Sequence, residues 1–392
     1  MRALVVGAGI AGLVAARQLG LAGWDVVVLE ASPGPRTAGY MMDFFGPGVK
    51  ASERIGLYPR LSAVSYRVEA AEYVDTNGRV TSRIDYDRFA RAAGGRVLSL
   101  LRPDLERASL ESLDDVPAGR VEVRYGARVS KVWADEHSAG VDVEGTAKAT
   151  LTADVVIGAD GIHSVVREQL FGPEQEFLRP LGMRAAAYIA DAPDLHDRVG
   201  NRFLLTDSID RTAALYGIRG RRVASFFVYR ATGDDVDQSG ARDRLRRAFS
   251  GLGANVDELL ALCPAEPYDD VVAQVVMPTW HRERAILVGD ACGAVSLLAG
   301  QGGSLAIAGA ALVGDILGPV TSPAGIAPAL AEVEDRWRPF VETAQASGRR
   351  AAASFLPANA RKRLIRRWII RASGLPGIDR LVARQIVKRI AT

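Results

Sequence analysis

The sequence predicts an α/β fold in which a Rossmann-like dinucleotide-binding sheet is interleaved with a mainly antiparallel β-sheet and followed by C-terminal helices. Three observations carry that expectation. Residues 2–30, RALVVGAGIAGLVAARQLGLAGWDVVVLE, give a short apolar strand, a glycine turn, a small-residue helix and a second strand ending in an acid. Two later apolar runs of strand length, at 154–157 and 285–288, each lead into Gly and then an acid, as strands do when their carboxyl ends open onto a ligand crevice. Between these runs lie short β-branched and aromatic segments bounded by Gly, Asp and Pro, the mark of a second, antiparallel sheet.

In the first element, Gly7-Ala8-Gly9-Ile10-Ala11-Gly12 is GxGxxG. Gly7 permits the tight turn, Gly9 lets a pyrophosphate approach the backbone, and Gly12 allows the helix to pack closely on the strand. The helix N-terminus offers free N–H groups and a positive dipole end to the phosphates. Glu30 stands 18 residues beyond Gly12, where a carboxylate accepts hydrogen bonds from both ribose hydroxyls. That favours an unphosphorylated adenosine ribose, as in FAD or NAD.

Residues 153–167, ADVVIGADGIHSVVR, and 284–310, RAILVGDACGAVSLLAGQGGSLAIAGA, resemble the second and third motifs of the FAD-dependent monooxygenases similar to para-hydroxybenzoate hydroxylase, the class A flavoprotein monooxygenases that include tetracycline-modifying and polyketide-tailoring members. All three motifs occur in the family's order, and the resemblance covers nearly the whole chain to about residue 310. Residues 97–105, VLSLLRPDL, look like the family's Arg-x-x-Leu element, which implies that Arg102 reaches the flavin. Residues 36–44, RTAGYMMDF, resemble the segment after the ribose acid, with Asp43 at the acidic position. By the same resemblance Ile10, Ala11, Val129, Gly289, Gly300, Gly302, Gly303 and Ser304 are cofactor contacts, and Asp160 in the Asp-Gly motif serves both FAD and reduced nicotinamide. Two readings stay open at Asp160: that role, or a turn with Ser164 and Arg167 capping a helix end. At Asp290 they are hydrogen bonding to ribityl hydroxyls or capping a helix. The loop 300–303 leads into a small-residue helix whose free N–H groups suit the anionic edge of a reduced flavin.

The chain departs from the family pattern at Gly293, where many members have His, at Leu297 (Pro), Ser304 (Asn) and Gly309 (Asp). Ala31 replaces the Arg that some members place beside the ribose acid, a role open to Arg36. The resemblance implies non-covalent FAD, NADPH or NADH as transient co-substrate, and hydroxylation or epoxidation of an aromatic or polyketide-like small molecule through a flavin C4a-hydroperoxide. The alternative on the same scaffold is an FAD-bound reductase, dehydrogenase or redox-neutral cyclase in natural-product biosynthesis.

With 392 residues, 48% hydrophobic and 24% charged, the chain is long enough for two packed domains. The expected division is a discontinuous FAD-binding domain at 1–65, 83–175 and 276–320, a substrate-binding sheet domain at 66–82 and 176–275, and a C-terminal helical segment from 321 to 392. Asn77-Gly78 signals a hairpin, and residues 242–262 read as helical with a break at their Gly pair. On the sheet strands Arg184, Tyr188, Tyr216 and Phe226, with Leu297 from the third motif, are the candidate substrate contacts; side-chain alternation turns about half of such residues away.

Two cysteines, Cys263 and Cys292, are too few for a disulfide framework or metal site, and no export signal precedes the first strand, so a cytoplasmic location is expected. Residues 291–314 lack charge, but Gln301 and six glycines fit a buried flavin-contacting loop and helix better than a membrane span. Catalytic side chains are not legible. Four histidines show neither metal spacing nor a nucleophile signature; His163 and His281 are the two nearest the motifs. Residues 361–392 hold ten Lys or Arg and one Asp, a net +9 in a chain of net +3, which leaves −6 on the rest. RKRLIRRWIIR places Leu364, Ile365, Trp368 and Ile369 on one helical stripe, and a second basic helix follows the Gly374–Gly377 break. Docking on the acidic body is the expectation, and membrane-surface binding the alternative. No nucleic-acid module accompanies the charge, and oligomeric state is not legible.

Overall fold

A computed structural model describes residues 1–37, 39–92, 95–144, 149–231 and 240–373. Its parallel sheet runs in the order His281–Arg282, Ala285–Leu287, Val155–Gly158, Arg2–Val6, Asp25–Glu30, Val121–Tyr125, with only the first pair antiparallel. The central strands are buried on both faces, which is why Val, Ile and Leu run through them without polar alternation. Helix Ile10–Leu21 packs on one face together with Leu317, Ile326 and Leu330 from the C-terminal helices. On the other side lies a three-stranded antiparallel sheet, Arg128–Ala134, Ala139–Glu144 and Ala149–Ala153, an element the sequence reading does not separate from the Rossmann-like part.

The second sheet has eight strands: Tyr268–Val275, Leu178–Ala187, Arg222–Arg230, Arg211–Ile218, Arg202–Ser208, Ala70–Val74 and Val80–Asp85 in order, with Ile189–Asp191 also on Arg222–Arg230. All its pairings are antiparallel except Arg202–Ser208 with Ala70–Val74. The Asn77-Gly78 turn joins the last two strands: Asp75 accepts the Asn77 and Arg79 N–H groups, and Gly78 takes a φ of +79°. One face is covered by helices Pro193–Val199, Ala241–Phe249 and Ala254–Ala261; the last two are the expected helical segment, broken at Gly251 and Gly253. The other face looks toward the glycine loops.

Helix Ile326–Phe355 crosses from the first sheet to the second. Val333 packs in the parallel-sheet core and Ala352 beneath Met183 and Val228. Helix Ala360–Ser373 then returns to the body through Arg363 and Arg367, which reach the same buried oxygen of Asp207 at 3.1 and 3.2 Å. The expected docking of the tail holds for this helix. The second basic helix expected beyond it lies outside the described residues. No helix among the described residues is long and apolar enough to cross a membrane.

Candidate active site

A cleft of about 950 Å³, including its open mouth, lies where the carboxyl ends of the parallel strands meet the open face of the second sheet. The N-termini of helices Ile10–Leu21 and Gly302–Leu317 both end on it, so two sets of free N–H groups and two positive dipole ends converge. Neither helix has an acidic residue in its first turn to neutralise that field.

The glycine turn is fixed by contact. Gly7 has a φ of +105°, and a Cβ there would lie 2.5 Å from the Ala159 carbonyl oxygen; a Cβ on Gly12 would lie 2.0 Å from the Gly7 carbonyl oxygen. Gly9, by contrast, lines the cleft, and a Cβ on it, or on Gly300 or Gly302, would meet nothing within 4 Å. Their backbone is thus open to an incoming group. Glu30 accepts the Ala8 N–H through Oε2 and the Ser32 N–H through Oε1, both at 2.9 Å. Burial opposes its ionisation, but those bonds and the Arg36 charge outweigh burial and hold its carboxyl below the usual range. Arg36 itself is exposed, and its backbone N–H donates to Glu106.

Asp290 is the first residue of the short helix Asp290–Gly293, and Gly289, with a φ of +62°, holds the N-cap position. The Asp290 carboxylate makes no hydrogen bond to a described residue, so it faces the cleft rather than capping the helix. The cleft walls crowding round it raise its pKa, while the Arg102 charge opposes the rise. Arg102 opens helix Arg102–Glu111 and lines the same cleft; burial disfavours its charge, but Tyr40, Glu106, Asp290 and Tyr268 more than restore it.

Of the expected contacts, Gly9, Ile10, Ala11, Arg102, Asp290, Gly300, Gly302, Gly303 and Leu297 line the cleft. Others do not. Asp43 is turned into a buried cluster, accepting from Tyr86 and, at 3.0 Å, from Ser99, and burial raises its pKa. Val129 is a core residue of its strand. Asp160 accepts from Ser164 at 2.5 Å and from the Val166 N–H at 3.1 Å, so its side chain ties a loop whose Ala159, Gly161 and Ile162 form the cleft wall. Arg167, fully buried, clamps that loop to the third motif by donating to the Ile162 carbonyl at 2.7 Å and the Ala291 carbonyl at 3.0 Å. Ser304 accepts the Phe45 N–H at 3.2 Å and packs against Gly48 behind the cleft.

On the second sheet, Arg184 and Tyr188 sit on the helix-covered face. Arg184 pairs with Asp269 at 2.9 Å, and the Tyr188 hydroxyl donates to the Leu259 carbonyl at 2.8 Å. Phe226 points the expected way and contacts Tyr40, ring centroids 5.2 Å apart, while Tyr216 lies deeper, edge-on to Phe203. The residues that form this wall are ones the sequence reading missed: Tyr40, Met42, Tyr268, Asp270 and Val271. The adjacent acids Asp269 and Asp270 at the start of a strand were the available signal, since alternation sends one to each face. Asp269 binds Arg184 and Arg244; Asp270 meets the cleft and His163. His163 spans Glu174 at 3.0 Å and Asp270 at 3.2 Å, and the two carboxylates, Asp270 foremost, raise its pKa to about 9. His281 lies outside the cleft, 2.6 Å from Glu334.

Two of the four departures in the third motif have a steric account. A Cβ on Gly309 would lie 2.6 Å from the Trp337 indole nitrogen, and one on Gly293 2.6 Å from a Val341 methyl. Helix Ile326–Phe355 occupies the space that larger side chains would need. Ser296, beside Leu297 on the cleft, has a φ of +81°, an unfavourable conformation for a residue with a side chain.

Comparison with known proteins agrees with this geometry. Residues 1–345 match the FAD binding domain family. An uncharacterised protein of Mycobacterium tuberculosis is 34% identical over 322 residues, 79% of this chain and 83% of its own. A flavin-dependent monooxygenase from an unknown prokaryotic organism is 28% identical over 362 residues, 90% of each chain. Among solved structures, tetracycline destructase Tet(55) superposes with a TM-score of 0.77 over 94% of each chain at 25% identity.

Proposed function

This chain belongs to the FAD binding domain family, and on that premise we propose that it is an FAD-dependent monooxygenase, driven by NADH or NADPH, that hydroxylates or epoxidises an aromatic or polyketide-like small molecule. One observation supports the reading above the rest: two helix N-termini and three open glycine backbones face, across one cleft, a wall carrying Tyr40, Met42, Tyr268 and Leu297. The first side fits FAD. Helix Ile10–Leu21 would hold the pyrophosphate, Glu30 the adenosine ribose and Asp290 the ribityl hydroxyls, and the amides of Gly302 and Gly303 would face the anionic edge of the isoalloxazine. Bound FAD supplies the redox chemistry and the activation of dioxygen.

The chain's own residues do the rest. Arg102 and the Gly302–Leu317 helix end bring positive charge to the cleft where negative charge has to be stabilised. Tyr40, Phe226 and Tyr268 form an aromatic side on which a planar substrate stacks. Their bulk excludes water, which protects reactive oxygen species from unproductive collapse. The decisive measurement is incorporation of labelled dioxygen into product under NAD(P)H turnover. We expect one labelled oxygen per product; product formed equally well without oxygen or reductant would overturn the monooxygenase reading in favour of a redox-neutral enzyme. Heat denaturation is expected to release FAD rather than FMN or NAD.

A further inference from the structure

Helix Ala360–Ser373 is amphipathic in an unusual sense. Its basic side faces inward: Arg363 and Arg367, four residues apart, converge on Asp207, whose side chain is 1% exposed. Its apolar side faces outward: Leu364, Ile365 and Trp368 are 58%, 57% and 63% exposed and share one face at helical spacing. Arg361 and Lys362 beside them are exposed as well. Three large apolar side chains held in water on a helix pinned from behind mark an interaction surface.

Charge decides among the occupants. The segment 360–373 carries six cations and no acid, and 374–392 adds four cations against Asp379. Folding 374–392 over the stripe would set cation on cation. So would pairing the stripe with that of a second copy, because a twofold contact places identical patches face to face. A surface of negative charge with an apolar interior satisfies both the stripe and its surroundings, and Trp at the boundary is the residue type that suits such an interface.

We propose that the outer face of helix Ala360–Ser373 is a docking surface for an anionic lipid bilayer, with Leu364, Ile365 and Trp368 entering the acyl boundary and the exposed Arg361 and Lys362 lying against the headgroups. The enzyme is peripheral, since the stripe is far too short to span. Each basic residue near such a surface adds attraction that salt screens.

The test is flotation of the full-length FAD-loaded protein with vesicles of phosphatidylcholine alone and of phosphatidylcholine with phosphatidylglycerol. Binding is expected only to the anionic vesicles, to fall steeply with salt, and to weaken by about tenfold or more in the double variant Ile365→Ser/Trp368→Ser, which alters only exposed side chains. Retained FAD content and melting temperature in that variant exclude misfolding as the cause. Failure of the wild-type protein to bind anionic vesicles at low salt overturns the proposal, as does binding that the double variant leaves unchanged. A dimer that the double variant dissociates, without lipid binding, assigns the stripe to a second copy. Stronger lipid binding after deletion of 374–392 shows that this segment covers the stripe in the intact chain and likewise overturns it.

Discussion

The parallel-sheet wall of the cleft meets a ligand with backbone, through Gly9, Gly161, Gly300, Gly302 and Gly303, whereas the opposite wall meets it with side chains, through Tyr40, Met42, Tyr268 and Asp270. The first wall's donors are peptide N–H groups, identical whatever the residue, so its geometry is set by where side chains are forbidden. The second wall's chemistry is set by which side chains are present. Under the proposed function, one wall would answer to the cofactor, common to a whole family, and the other to the substrate. The departures at Gly293 and Gly309 fit this division, because they change packing behind the backbone wall and leave its amides facing the cleft.

The contrast can be broken most severely at Gly12. Gly12→Val would drive a side chain into the Gly7 carbonyl, and we expect a loss on the order of 3–5 kcal/mol in stability together with FAD, read by thermal unfolding and flavin absorbance. A yellow, stable variant would show that the backbone wall is not sterically defined. Asp290→Ala is the next test, since Asp290 is a side chain on the backbone wall. FAD binding should weaken by about 1–3 kcal/mol, with the apoprotein's melting temperature unchanged; unaltered FAD affinity would show that backbone alone holds the cofactor. On the other wall, Tyr268→Ala should raise the KM for the substrate identified by oxygen incorporation about tenfold while FAD retention stays as in the wild type. Loss of flavin from this variant would merge the two walls into one site.

The smallest effect is expected at the seam, where His163 joins the Asp-Gly loop to the second sheet. Its folded pKa, about 9, lies above the ordinary histidine value, so its pairing with Asp270 and Glu174 stabilises fully below about pH 6.5 and is lost as pH rises through about 9. The side chain is half exposed, and solvent screening keeps the contribution below about 1 kcal/mol. The melting-temperature difference between wild type and His163→Gln should be largest at mildly acidic pH and vanish in alkali; a constant difference would mean that the bridge carries no proton-linked stability.

The same division explains what was legible in the sequence. Strand, glycine turn, helix and acid occupy residues 2–30 contiguously, with Gly12 required by its contact with Gly7 and Gly9 left open to a ligand, so the cradle could be read from one stretch of chain. The facing of Arg184 and Tyr188 could not. Both faces of the second sheet are covered, one by helices and one by the cleft, so its strands lack the polar alternation that reveals which side is which. Asp43 misled for a related reason, because a buried acid satisfied by Tyr86 and Ser99 and an acid reserved for a ligand look alike until their partners are placed. Tyr40 lay inside a stretch read for its acid, and its aromatic partner Phe226 arrives from residues far along the chain.

The strand Arg2–Val6 hydrogen-bonds to Val155–Gly158, which in turn pairs with Ala285–Leu287. During synthesis the glycine turn therefore emerges long before the strands that buttress it, and Asp290 follows later still. Most of the polypeptide must leave the ribosome before the cleft exists, which makes this a topology of high contact order and slow assembly. A nascent chain halted before residue 285 would hold the complete glycine fingerprint and still have no place for a flavin to rest.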